Sequence, residues 1–176
     1  SRALVICVDN SFNCITVDGC MSTNDTIIAL ANGASINNLI DMGNKYFSLF
    51  LKALNIVCLE LAKLIIKDAE GATKFIRIKV DKANNFAQAR QVALSIANSN
   101  LFKTAMYGEN PNFGRIIAAI GASGVDVEEK DIKIKVSSLH KKEINIDVSI
   151  KGGGAYATVY TSDLAPEYIK INAEYN

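Results

Sequence analysis

Histidine is almost missing from this chain: His140 is the only one in 176 residues. The four cysteines, at positions 7, 14, 20 and 58, form no pair at CxxC spacing. These two scarcities exclude the usual zinc sites, which draw on clustered Cys and His. The cysteines are expected to be reduced thiols of a cytosolic protein, packed mostly as small hydrophobes. Neither sign of charge is in surplus. With 19 basic and 18 acidic side chains the net charge is +1, which leaves no electrostatic drive toward nucleic acid. No apolar run is long enough to span a bilayer. Residues 1–9, "SRALVICVD", have an apolar middle but no small-residue cleavage site after it, and are not read as a signal peptide. There is no repeat, low-complexity tract or proline-rich linker. The stretch "IIAAIGASG" lacks the third glycine of a dinucleotide-binding loop, and what precedes it looks helical. A Ser-His-Asp triad would have to use His140, which sits among lysines between two strands.

What is present is a large apolar fraction, 49%, enough to bury a substantial core. The chain suits one domain or two small ones. "NCITVD" at 13–18 reads as a strand ending at the Asp18-Gly19 turn, and "TIIALANG" at 26–33 as another. Asp41 is a plausible N-cap for a long helix whose buried stripe is Phe47, Leu51, Leu54, Cys58, Leu61 and Ile65. "TKFIRIKV" alternates, with Ile76, Ile78 and Val80 on one face and Arg77 and Lys79 on the other. A helix is expected over 86–98, a strand at "LFKTAMYG", and a helix near 111–122 capped by Asn110 and closed by Gly121 and Gly124. "DIKIKV", "EINIDVSIK" and "AYATVYT" read as strands, and glycines 152–154 as a hairpin turn between the last two. The pattern is α/β. It is divided here into 1–82, an α/β layer domain, and 83–176, a smaller C-terminal α/β domain, with the boundary near 81–85.

Four polar clusters could carry chemistry: the turn from Asp18 to Thr26, the segment Glu70 to Lys74, "GENPNFGR" at 108–115, and the tail "YIKINAEYN". Taken singly each reads as a turn, a helix end, a cap or a frayed terminus. Taken in order, "SFNCITVDGCMSTNDT", "EGATKF", "KTAMYGENPNFGRIIAAIGASG" and "DLAPEYIKINAEY" resemble the β chain of ornithine acetyltransferase, the glutamate N-acetyltransferase family of arginine biosynthesis. The resemblance runs from about Ser11 to Tyr175.

That resemblance implies a precursor that cuts itself to free a threonine at the start of the β chain. The threonine takes the acetyl group of N-acetylornithine as an acyl-enzyme and passes it to glutamate. Its own α-amino group, titrating nearer neutrality than a lysine, can serve as base. An α chain supplies threonines of the oxyanion hole, completes the helix and sheet layers, and joins an α2β2 assembly in the cytoplasm. No metal or bound cofactor is implied; acetyl-CoA would enter only as a substrate. Matched by position, Glu70 and Asn172 are the expected substrate-binding residues. A carboxylate can pair with the amine of ornithine, and a side-chain amide offers both donor and acceptor. Asn176 stands near where the family places a hydroxyl-bearing residue and is given no role.

Three departures stand out. Only ten residues precede "SFN". Either "SRALVICVDN" ends the family's helix and the threonine lies upstream, or Ser1 is itself the nucleophile. Cys20-Met21 stand where the family often has Asp-Thr. The connection between "DIKIKV" and "EINIDV" is short. A related N-terminal-nucleophile acyltransferase or hydrolase with another substrate, and a non-catalytic amino-acid-binding module, are the alternative readings.

Overall fold

A computed structural model describes residues 2–174. A four-stranded mixed sheet organises them. Its strands are β1 (Phe75–Ala83), β2 (Lys133–Val136), β3 (Glu143–Ser149) and β4 (Ala155–Ser162), in the order β2-β3-β1-β4. β1 is central, parallel to β3 and antiparallel to β4. The alternation expected of β1 holds: Ile76, Ile78 and Val80 are fully buried while Arg77 and Lys79 lie on the wetter face. Phe75 and Glu143 are partners in the register, as are Phe75 and Ser162, so residues on both sides of position 82/83 share one sheet.

The apolar face of the sheet is covered by α3 (Phe86–Ala97), with α4 (Asn100–Tyr107) and α5 (Phe113–Gly121) completing the core. The start of α3 is set by local chemistry. The Asn85 side chain accepts a hydrogen bond from the Gln88 N–H at 2.8 Å, and the Gln88 side chain accepts from the Asn84 N–H at 2.8 Å. The first satisfies a donor that a helix start leaves without a partner, and the second ties the residue before the cap to the first turn. Replacing Asn85 with Ala is expected to cost about 1 kcal/mol, read as a melting temperature lower by roughly 2–4 °C.

The opposite face is only partly covered. α2 (Phe47–Lys67) lies across one end of it, where Lys63 and Lys67 stand over a stacked Tyr160–Phe75 pair. α1 (Arg2–Asp9) packs on α2, with a Cys7 thiol toward the Leu51 carbonyl. α6 (Pro166–Glu174) closes the described chain and buries no residue of its own.

Several expectations need correction. "NCITVD" is not a strand: Phe12–Cys14 form a 3₁₀ turn, and only Ile15 makes a single bridge, to Tyr160. Residues 26–33 take no regular structure, and Ile28 and Leu30 are exposed. Asp41 caps nothing; its carboxylate accepts from the Gly43 N–H, and α2 starts six residues later. The buried face of α2 is Cys58, Ala62 and Ile66, whereas Leu61 and Ile65 are exposed. That rotation follows from where the sheet lies; α2 is apolar nearly all round, so periodicity alone does not choose its inner face. "LFKTAMYG" is helical. Ser99 caps it by accepting from the Phe102 N–H at 3.3 Å, and Phe102, Ala105 and Met106 supply a helical buried stripe. α5 begins at Phe113, with Asn112 before it in place of Asn110, and Pro111 lies outside the helix.

The triple glycine is not a hairpin turn either. β3 and β4 flank β1, so residues 152–154 cross over its end. A Cβ on Gly153 would stand 2.8 Å from the Ala83 carbonyl oxygen, and its N–H donates to the Lys82 carbonyl at 2.8 Å. Only glycine admits so close an approach of two backbones.

Candidate active site

Three segments converge beside the end of β4. The first descends from the C-terminal end of α2 through Asp68, Ala69, Glu70 and Gly71 into β1. The second is the turn at Asp18-Gly19. The third leaves β4 through Asp163 into α6. Each is fastened to another by named side chains.

The α2–β1 connection is held by Asp163, which is only 3% exposed. Its Oδ1 accepts from the Thr73 N–H at 2.8 Å and the Lys74 N–H at 2.9 Å, and its Oδ2 accepts from the Thr73 hydroxyl. Lys74 turns the other way. Its ammonium pairs with Glu109 at 2.6 Å and donates to the Leu139 carbonyl at 2.9 Å. Glu109 also contacts His140, and it adopts a left-handed backbone with φ of 52°. Its carboxyl is held below the usual range by the Lys74 and then the His140 hydrogen bonds.

Gly71 explains how the connection meets the tail. Its φ is +65°, and a Cβ there would stand 2.5 Å from the Tyr168 nitrogen. The backbone of α6 therefore rests directly on Gly71. This brings Glu70 against the helix, where its Oε2 accepts from the Asn172 side-chain N–H at 2.8 Å. The same Asn172 amide donates to the Tyr168 carbonyl at 3.0 Å, one turn back along α6. The two residues matched to substrate binding thus touch across 102 positions of chain.

The Asp18 turn completes the cluster. Asp18 accepts from the Cys20 N–H at 2.8 Å and from the Tyr168 hydroxyl at 2.7 Å. The Cys20 N–H is the main reason its carboxyl lies below the ordinary range, with the Tyr168 hydroxyl next. The same pairing pushes the Tyr168 phenol up to about 12, since a hydroxyl donating to a carboxylate resists losing its proton. Tyr168 and Asn172 are four residues apart and so share one face of α6. Behind them lies Lys103, 1% exposed, donating to the carbonyls of Val17 at 2.6 Å and Ser162 at 2.7 Å.

Glu70, Asn172 and Asp18 are all exposed, so the cluster forms an open wall with a carboxylate, an amide, a phenol and a second carboxylate on it. It can receive a cation through the carboxylates and orient a carboxylate or amide through Asn172. Cys20 and Met21, the departures from the family pattern, are exposed at its edge. Ser1 and Asn176 lie outside the described residues. Among the described residues no three His, Cys, Asp or Glu side chains are grouped to hold a metal ion, and no helix is long and apolar enough to cross a membrane. The sequence did not single out Tyr168, Asp163 or Lys103. The signal for Tyr168 was its four-residue spacing from Asn172; the other two depend on contacts distant in sequence.

Known proteins share this arrangement of chain. A family model described as the ArgJ family matches residues 1–176. The arginine biosynthesis bifunctional protein ArgJ of Geobacter sulfurreducens is 45% identical over 188 aligned residues, which cover 95% of this chain and 48% of that protein. The glutamate N-acetyltransferase of Methanopyrus kandleri is 42% identical, covering 96% of this chain and 49% of its own. The crystal structure of the arginine biosynthesis bifunctional protein ArgJ from Bacillus halodurans superposes with a TM-score of 0.94 at 36% identity, over 99% of this chain and 92% of that one. The chain spans about half the length of the curated relatives it matches. A family match over the whole chain, together with a matching fold, places it: the chain belongs to the ArgJ family.

Proposed function

We propose that this chain is the β half of an acetyltransferase that moves acetyl from N-acetylornithine to glutamate, with Glu70 and Asn172 binding the amino-acid substrate. The observation that carries this is the 2.8 Å contact between those two side chains. Without substrate the amide of Asn172 occupies the carboxylate of Glu70. An alkylammonium entering the wall replaces it with a charge-assisted bond and frees the amide for a substrate carbonyl or carboxylate.

The hydroxyl that takes the acetyl group is that of a threonine upstream of the helix ending in "VDN". Its oxygen attacks the acetyl carbonyl carbon, the C–N bond to ornithine breaks, and the departing amine takes a proton. The glutamate amine then attacks the ester and regenerates the hydroxyl. Donors from an α chain stabilise the oxyanion in both steps. Acetyl-CoA is a second donor where the enzyme is bifunctional, the word used in the name of the Geobacter protein.

The α chain covers α2 and residues 26–42, and two such αβ units pair. Phe50, Ile56, Val57, Leu61, Leu64 and Ile65 of α2 are all exposed, a larger contiguous apolar face than a free chain tolerates. The two sizes of relative support a separate second chain: the curated proteins are about twice as long as the aligned part, while the crystallised Bacillus chain is nearly matched in length. We place the enzyme in the cytoplasm, a reading supported by the exposed free thiol of Cys20.

The test uses the complete αβ enzyme. Incubation with N-acetylornithine should leave an acetyl adduct, about 42 Da by the chemistry of acyl transfer, on the β chain in intact-mass spectra. Glu70→Ala should raise KM for N-acetylornithine by about 10- to 100-fold, the worth of a charge-assisted hydrogen bond. No adduct with wild-type enzyme, or a Glu70→Ala variant with wild-type KM, overturns the proposal.

A further inference from the structure

Lys103 is a buried ammonium that the chemistry above does not use. Three oxygens surround its nitrogen: the Val17 carbonyl at 2.6 Å, the Ser162 carbonyl at 2.7 Å and the Thr161 hydroxyl at 3.0 Å. Its own backbone carbonyl accepts from the Leu164 N–H at 3.3 Å, so main chain and side chain both grip the end of β4. An ammonium has three N–H groups for three acceptors. A neutral amine has two, enough for the two carbonyls, and can take the Thr161 hydroxyl proton on its lone pair, but its bonds to those carbonyls lose their charge assistance and weaken.

The residues gripped matter more than the grip. Val17 precedes Asp18, which receives the Tyr168 hydroxyl. Ser162 precedes Asp163, which holds Thr73 and Lys74. One ammonium therefore ties together the two short segments whose carboxylates fix α6 on one side and the Glu70–Lys74 connection on the other. We propose that Lys103 is a positioning residue for substrate binding: its protonated side chain joins Val17 to Ser162 and so keeps Asn172 and Glu70 at binding distance. The proposal rests on the acetyltransferase reading for its substrate, and on the geometry for the coupling.

It has a pH signature. Asp163 and Asp18 are the ionisable groups that act on Lys103, and both favour its charge; the Lys74 ammonium is turned away to Glu109. Burial opposes them and prevails, bringing the lysine down to about 8 from 10.5. The unfolded chain keeps this proton up to the ordinary lysine range. Between the two values the unfolded state binds more protons, so for this group folding stability rises with pH. Binding falls over the same interval, because the bonds to the Val17 and Ser162 carbonyls lose their charge assistance. A general loosening of the fold would move both in the same direction.

The test is the pH dependence of KM for N-acetylornithine in the αβ enzyme, from pH 6.5 to 9.5. Wild type should show KM at pH 9 about tenfold above that at pH 7, one unit past the lysine's midpoint, with a smaller change in kcat. Lys103→Met should have a raised KM that is flat over the range, and Lys103→Arg should keep a low KM to higher pH. Amide hydrogen exchange over residues 166–172 reads the same coupling without turnover, and should be faster in Lys103→Met. If Lys103→Met does not fold, wild type against Lys103→Arg still decides. A wild-type KM independent of pH, or a Lys103→Met variant with the wild-type profile and exchange, overturns the role of Lys103. A wild-type enzyme that transfers no acetyl overturns the acetyltransferase reading instead, and unchanged exchange in the folded variant then overturns the coupling as well.

Discussion

Gly71→Ala should weaken substrate binding far more than it weakens the fold. Two costs arise at this position. The left-handed backbone, φ +65°, strains any residue with a Cβ by about 1–2 kcal/mol. The new methyl would also stand 2.5 Å from the Tyr168 nitrogen and 2.9 Å from the Glu167 carbonyl carbon, both backbone atoms of α6. Backbone cannot rotate aside as a flexible side chain does, so either the Gly71 turn or α6 must move. α6 buries none of its residues and is held by polar contacts. Moving it is cheaper than distorting the connection into β1, so the helix gives way. The stability loss should stay near the strain alone, a melting temperature lower by roughly 2–8 °C. The Asn172–Glu70 contact goes with the helix, and KM for N-acetylornithine should rise at least about tenfold. A variant with wild-type KM and exchange over 166–174 would show that α6 does not depend on this close approach.

Asp163→Ala should reverse that balance and strike the fold first. The carboxylate is buried and accepts two backbone N–H groups and a hydroxyl. Its removal strands the Thr73 and Lys74 donors and leaves Lys103 with one fewer neighbouring anion. Breaking a buried charged network from one side costs about 3–5 kcal/mol, a melting temperature lower by roughly 6–20 °C. Asp163→Asn separates geometry from charge. Both backbone donors use the same oxygen, Oδ1, which an asparagine keeps, and its amide can donate to the Thr73 hydroxyl in place of Oδ2. Most of the thermal loss should therefore be recovered by Asn. Equal melting temperatures for the Ala and Asn variants would mean that the hydrogen bonds are not what Asp163 contributes.

The strands β1 and β3 were legible because alternation of apolar and polar residues is local and each has one wetter face; β4 was legible from its β-prone residues, although its second half, Val159 to Ser162, is buried on both faces. α3 was legible because its cap and its stripe sit within a dozen residues. α4 was misread as a strand because "LFKTAMYG" carries β-prone residues, and the features that make it helical are a cap two residues upstream and a lysine buried by partners at 17, 161 and 162. No local pattern announces a buried lysine; its sequence looks like any solvated one. The stripe on α2 was followed correctly through Phe47, Leu51, Leu54 and Cys58 but drifts off the inner face at Leu61 and Ile65, where Ala62 and Ile66 are buried instead, since a helix apolar on most faces is oriented by what it meets. Glu70 and Asn172 came from resemblance in motif, and the structure brings them into contact. What held them there, Gly71 against the Tyr168 backbone and the Asp18–Tyr168 bond, is long-range geometry.

The place of β1 at the centre of the sheet also bears on how the chain is made. Its neighbours, β3 and β4, are both translated later, and β4 ends at Ser162. At about 5–20 residues per second, on the order of ten seconds separate β1 leaving the ribosome from the arrival of its last partner. Until β3 emerges both edges of β1 are bare, one edge stays bare until β4 follows, and the apolar helix before β1 is exposed meanwhile. Nascent chains of this topology should therefore lean on chaperones that shield exposed apolar segments, and slowing translation between β1 and β4 should lower the soluble yield instead of raising it.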